Sequence, residues 1–121
     1  VANWMRPQAK DFTAQWITEF GDQVELVIAN NDEMALGAIA AYEERPEYAL
    51  PTVVGIDGTK AGLDAVNKGL MLGTVRNDAV IQAKAILNLA YASAKDLPLN
   101  LEVPELEGRY VWVSYQTVKK S

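Results

Sequence analysis

The chain has 121 residues, half of them hydrophobic and 22% charged, the profile of a globular domain rather than of a disordered or fibrous segment. Sixteen Asp and Glu against eleven Lys and Arg leave a formal charge of −5, which argues against nucleic acid and anionic membrane surfaces as partners. With no His and no Cys, the sequence has no His-based triad, thiol nucleophile, disulfide or customary zinc ligand set.

No stretch nears the roughly 18 apolar residues of a membrane span, and the first residues lack the order of a signal peptide. The chain opens on Val1 without a Met or a polar run-in, as a fragment would. Length alone predicts one domain able to bury a core.

Residues 6 to 20 place Ala9, Phe12, Trp16, Ile17 and Phe20 on one face at helical spacing, with Pro7 in the first turn and Gly21 at the stop. Residues 24 to 29 are short and apolar from Leu26 onward, which predicts a strand covered on both faces. Asn30-Asn31-Asp32 ends it, and from Glu33 a helical pattern runs through Met34, Leu36, Ala38, Ile39 and Tyr42 until Arg45-Pro46.

The unit then recurs. Thr52 to Ile56 predicts a buried strand, Asp57-Gly58-Thr59 a turn, and Lys60 to Lys68 a helix with Gly69 as C-cap. A third copy has Gly73 to Arg76 as strand, Asn77-Asp78 as turn and a helix from Ala79 to about Lys95. Three such units predict an α/β fold, an open parallel sheet with right-handed crossovers. Residues 96 to 108 read as a loop, and the alternation from Tyr110 to Tyr115 as a last strand. Trp16 and Trp112 sit in apolar periodic patterns and are expected in the core.

In an open parallel sheet, ligands bind beyond the carboxyl ends of the strands. Asn31, Asp57 and Asn77 hold that position in successive units. One carboxylate and two carboxamides suit a neutral polyhydroxylated ligand, whose hydroxyls each donate and accept. Trp4 could offer its ring to the C–H face of a sugar. The same residue types cap helices, each worth about 1 kcal/mol. Asp32 and Asp78 are read as caps, whereas for Asn31, Asp57 and Asn77 capping and ligand binding stay equally open.

The stretches Ala2-Asn3-Trp4, VELVIANNDEMALGAIAA at 24 to 41, VVGIDG at 53 to 58 and GTVRNDAVIQAKAILNLA at 73 to 90 closely resemble the periplasmic galactose/glucose-binding proteins, solute-binding proteins of sugar ABC transporters. The match weakens after Lys95. It implies the type I periplasmic binding protein fold, Rossmann-like with three α/β/α layers, in which two lobes close on a sugar. The resemblance makes Trp4 the stacking aromatic and Asn31, Asp57 and Asn77 the hydroxyl-binding residues of the second lobe. Ribose-binding proteins are similar at NDEMALGA and DGT but have Phe at the place of Trp4 and Gln at that of Asn77, so a hexose, D-glucose or D-galactose, is implied.

Glu25 matches a distal calcium carboxylate of those proteins, but the loop supplying the other ligands is absent here. Calcium is therefore implied only for a full-length protein, and a solvated strand-start residue is the other reading of Glu25. Residues 1–77 correspond to second-lobe units. Residues 78–121 correspond to a hinge-crossing helix, a loop and a final strand, within what is expected to be a C-terminal fragment. The helix at 79 to 95 would then lack its native sheet. Its face with Val80, Ile81, Ile86, Leu87 and Tyr91 is expected to be covered by the remaining strands or by a second copy of the chain.

The function implied is non-catalytic capture of a hexose for an ABC importer, in the periplasm or attached to the cell surface, with a membrane permease and a chemoreceptor as partners. The alternative is the effector domain of a lac-repressor-type regulator. A glycoside hydrolase using Asp57 and Asp78 is a third class, for which nothing in the sequence supports a raised carboxyl pKa.

Overall fold

The computed structural model describes residues 1–120. Two compact units divide the chain, one of residues 1–76 together with the stretch from Gln116, the other of residues 77–115. In the first unit the order is α1 (Arg6–Phe20), β1 (Leu26–Ile28), α2 (Asp32–Glu43), β2 (Thr52–Asp57), α3 (Lys60–Lys68) and β3 (Gly73–Arg76). The second unit holds α4 (Ala79–Ala94), α5 (Leu99–Glu102), β4 (Leu106–Glu107) and β5 (Tyr110–Val111), and β6 (Gln116–Lys119) belongs to the first. Among the described residues no helix is long and apolar enough to cross a membrane.

The main sheet runs β1-β2-β3-β6. Val27 pairs with Val53 and Ile56 with Val75 in parallel register, so the three repeated units form the parallel sheet their sequence pattern predicts. The fourth strand is antiparallel, Val75 facing Thr117. This corrects the expected last strand at Tyr110 to Tyr115. Only Tyr110–Val111 is strand there, and it pairs with Leu106–Glu107 as a separate hairpin, with Tyr110 stacked on Trp112 at 5.7 Å. The expected loop at 96 to 108 therefore contains α5 and β4.

The core lies between the sheet and the helices that follow its strands. Ala29, Ala35, Ile39, Val53, Ala65, Val66 and Met71 form one buried cluster. Ile17, Ala41 and Tyr42 form a second, where α1 meets α2. Gly37 permits that meeting, because a Cβ there would collide with the Arg6 carbonyl and the Ala9 side chain. The buried stripe of α1 is Ala9, Thr13 and Ile17, while Trp16 and Phe20, expected on the core face, are exposed. Trp112 is exposed as well.

β1 is the terminal strand of the sheet, and Leu26 and Ile28 are 51% and 70% exposed. The expected cover on both faces of this strand is not seen within the chain. In the second unit, α4 buries only Ala92. Val80, Ile81, Ile86, Leu87 and Tyr91 are between 49% and 69% exposed. Within residues 77–115, therefore, β4 and β5 do not cover this face.

Candidate functional site

The carboxyl ends of β1 and β2 carry two of the candidate residues. Asn31 is the N-cap of α2: its Oδ1 accepts the Met34 N–H at 2.9 Å, and its Nδ2 donates to the Trp4 carbonyl at 3.2 Å. Capping and attachment to the first turn are thus both present in one side chain. One lone pair on Oδ1 and one N–H on Nδ2 remain unused by these bonds. Asn3 and Trp4 have positive φ, 47° and 63°, in a turn closed by the Met5 N–H on the Ala2 carbonyl. That turn leaves Trp4 63% exposed, with its carbonyl tied to Asn31. The structure therefore brings together two residues that are 27 positions apart in sequence.

Asp57 ends β2 with φ +115°, a conformation that L-residues rarely adopt. Its carboxyl is pushed above the ordinary aspartate range, by partial burial first and by the Asp32 charge second. Asp57 does not cap α3. Thr59 does, its Oγ1 accepting the Gly62 N–H at 3.0 Å. Capping, one of the two readings left open for Asp57, is excluded by this geometry.

Asp32, expected to be a helix cap, is instead the first residue of α2 and is 0% exposed. Its Oδ2 accepts the Thr59 N–H at 2.7 Å and the Thr59 hydroxyl at 3.0 Å, while its Oδ1 accepts the Thr74 hydroxyl at 2.6 Å. A buried carboxylate needs such partners to offset its desolvation. Gly55 and Gly62 give it room, since a Cβ at either would run into it. Spacing alone could not identify this role, because the donors come from residues 27 and 42 positions away.

Asn77 and Asp78 open the second unit. Asp78 caps α4 as expected, its Oδ1 accepting the Val80 and Ile81 N–H groups at 3.1 Å. Asn77 is half-buried, and its Oδ1 accepts the Gln82 amide at 2.6 Å. Asn77 is thus not the cap of its helix either.

Glu25 is exposed just before β1. Among the described residues no group of three or more acidic side chains could hold a metal ion. One carboxylate does not fit a cation that takes 6–8 oxygen ligands.

A cavity of about 350 Å³ lies beside β1 and is lined by Trp4, Phe12, Trp16, Val27, Ile28 and Met34, among others. It is mostly apolar. Neither Asn31 nor Asp57 lines it. Trp16, expected in the core, is instead part of this cavity wall.

A sequence profile for the periplasmic binding protein domain matches residues 1–97. The xylitol-binding protein of Mycolicibacterium smegmatis is 40% identical over 95 residues, covering 78% of this chain and 27% of that protein. The D-galactose/methyl-galactoside binding periplasmic protein MglB of Haemophilus influenzae is 34% identical over 119 residues, covering 97% of this chain and 35% of that protein. Among solved structures, an ABC transporter solute binding protein from Bacillus halodurans with bound myo-inositol superposes with a TM-score of 0.78 at 30% identity, over 98% of this chain and 38% of that one. A periplasmic solute binding protein from Actinobacillus succinogenes with bound D-allose gives a TM-score of 0.83 at 25% identity, over 98% and 38%. The chain spans about a third of the length of these relatives. With a profile match over most of its length and the α/β architecture of these neighbours, the chain belongs to the periplasmic binding protein domain family.

Proposed function

We propose that this chain forms one wall of a binding site for a hexose, D-galactose or D-glucose, in a solute-binding protein of a sugar ABC importer. The observation that carries the reading is the pairing of Trp4 with Asn31. Asn31 keeps one donor and one acceptor after making its two protein bonds, which is the complement a sugar hydroxyl needs. Trp4, tied to Asn31 through its carbonyl and 63% exposed, would offer its indole as a flat apolar surface to sugar C–H groups. Asp57, at the end of the adjacent strand, would accept from a further hydroxyl, and Asn77 would add a second carboxamide.

The relatives' ligands, xylitol, galactosides, myo-inositol and D-allose, are all neutral polyols, which supports the ligand class. The binding is non-catalytic. The setting is the periplasm, the partner is a membrane permease, and a chemoreceptor is a second reader of the closed state. The relatives named above are transport-type binding proteins, and the regulator reading has no observation in its favour.

In a protein of the relatives' length, lobe closure would desolvate the sugar and add opposing hydrogen bonds. This chain alone supplies part of that wall, so its own affinity is weak. Amide and indole NMR spectra titrated with D-galactose and D-glucose test the reading. Shifts focused on the Trp4 indole and on Asn31, Asp57 and Asn77, and lost in Asp57→Ala, are expected. Spectra unmoved at high millimolar sugar would refute the site, and tight micromolar binding in calorimetry would refute the partial wall.

A further inference from the structure

The Asp32 carboxylate joins the start of α2 both to the turn between β2 and α3 and to strand β3. Its Oδ2 takes the backbone and side-chain donors of Thr59. Its Oδ1 takes the Thr74 hydroxyl, and Thr74 Oγ1 in turn accepts the Gly58 N–H at 3.3 Å. The turn Asp57-Gly58-Thr59 is therefore held at two successive amides, both leading back to one buried charge. On its other side, Gly58 lies so close to Arg76 that a Cβ would strike that side chain, and Arg76 is the register partner of Asp57.

Asp57 enters this turn with φ +115°. A conformation of that kind is strained and persists only where the surroundings over-determine it. The bonds at Gly58 and Thr59 are such a constraint. Asp32 is also the chain neighbour of Asn31, whose side chain is fixed on Met34 and Trp4.

We propose that Asp32 is a positioning residue: through Thr59 and Thr74 it locks the Asp57 turn and thereby sets the direction of Asp57 relative to Asn31. The inference rests on the reading that these two residues face the ligand, but its geometry is testable without any sugar. The charged groups around the turn are Asp32 on α2, Arg76 on β3 and Lys60 at the start of α3.

Two NMR measurements on the chain report the lock: the HN–Hα coupling of Asp57, which is small at its present φ and large in ordinary extended backbone, and the titration of its side-chain carboxyl. Asp32→Asn places an amide donor among donors and removes the charge, and it can cost the fold. Thr74→Val is the second variant, because it removes only the hydroxyl and leaves the Asp32 charge in place. In Thr74→Val the Asp57 coupling is expected to rise and its titration midpoint to fall toward the ordinary aspartate value as the turn opens to water. Thr74→Ser restores the hydroxyl and is expected to return both readings to those of the parent.

A folded Thr74→Val protein with both readings unchanged would overturn the proposal, as would a Thr74→Ser variant that fails to rescue them. A parallel titration of the parent with D-galactose separates the two claims. Absence of sugar-induced shifts there sinks the binding reading while the coupling and titration results still decide the role of Asp32.

Discussion

Apolar helices meet different fates in the two units. In the unit of residues 1–76, Ile39 on α2 and Val66 on α3 join Val53 and Met71 in a buried cluster. In the unit of residues 77–115, α4 carries an apolar run of similar strength and buries only Ala92. Hydrophobic sequence therefore anchors the first unit by packing, whereas α4 is held by its own backbone bonds, by Asp78 and by a small contact with α5. A helix without a packed face is marginal in water, so its caps carry weight that a core would otherwise carry. The difference predicts that equivalent truncations have unequal effects.

Ile39→Ala is expected to lower the unfolding free energy by about 2–5 kcal/mol, the range for a buried aliphatic truncated to Ala, measured by urea denaturation. Leu87→Ala, on the exposed face of α4, is expected to stay within about 0.5 kcal/mol. A large loss from Leu87→Ala would break the comparison, because it would mean that the face is covered in solution. Sedimentation at several concentrations would then identify a second copy as the cover.

Asp78→Ala removes the side chain that accepts two orphan N–H groups of α4. A loss of about 1 kcal/mol is expected, read as faster amide exchange within residues 79–94 and not in α2. Equal acceleration in both helices would show that the two units unfold together.

The repeated strand, turn and helix were legible because each has a local signature: β-branched runs, Asx turns, Gly69 at a C-cap with φ +77°. The reach of the chain as a parallel sheet followed from the order of those units. What sequence did not reveal depends on neighbours distant along the chain. Asp32 looks like a cap beside Asn31, and only the approach of Thr59 and Thr74 makes it a buried tie. Trp16 has core periodicity but lies against a cavity beside an edge strand rather than against a filled layer. The last sheet strand was misplaced for a related reason: the aromatic alternation at 110 to 115 is stronger than the Gln116–Lys119 pattern, but the latter is what pairs with β3.

The pH dependence sharpens the comparison within the packed unit. The Asp57 carboxyl is raised above its unfolded value, so its contribution favours the fold below the ordinary aspartate range and is lost as pH rises through the folded value. At neutral pH the charged form is therefore a burden. Asp57→Asn is expected to shift the urea midpoint upward at pH 7 and to leave it unchanged near pH 3, while abolishing the sugar-induced shifts at the turn. An unchanged midpoint at pH 7 would mean that the charge is fully compensated, for which Arg76 is the nearest candidate in register.

The smallest effect concerns Tyr42, in the cluster with Ile17 and Ala41. Its hydroxyl is buried with no hydrogen-bond partner among the described residues. Burial, and secondarily the charge of Asp22, raise its pKa. A buried donor left unpaired carries a desolvation penalty, whereas replacing it by an apolar group of the same shape is near neutral or stabilising. Tyr42→Phe is thus expected to change the unfolding free energy by no more than about 1 kcal/mol, and in the stabilising direction. The ring still fills the space against α1, so packing is constant and the measurement isolates the hydroxyl. Destabilisation by Tyr42→Phe would mean that the hydroxyl is bonded in solution, and that the junction of α1 and α2 is held by a polar contact as well as by Ile17.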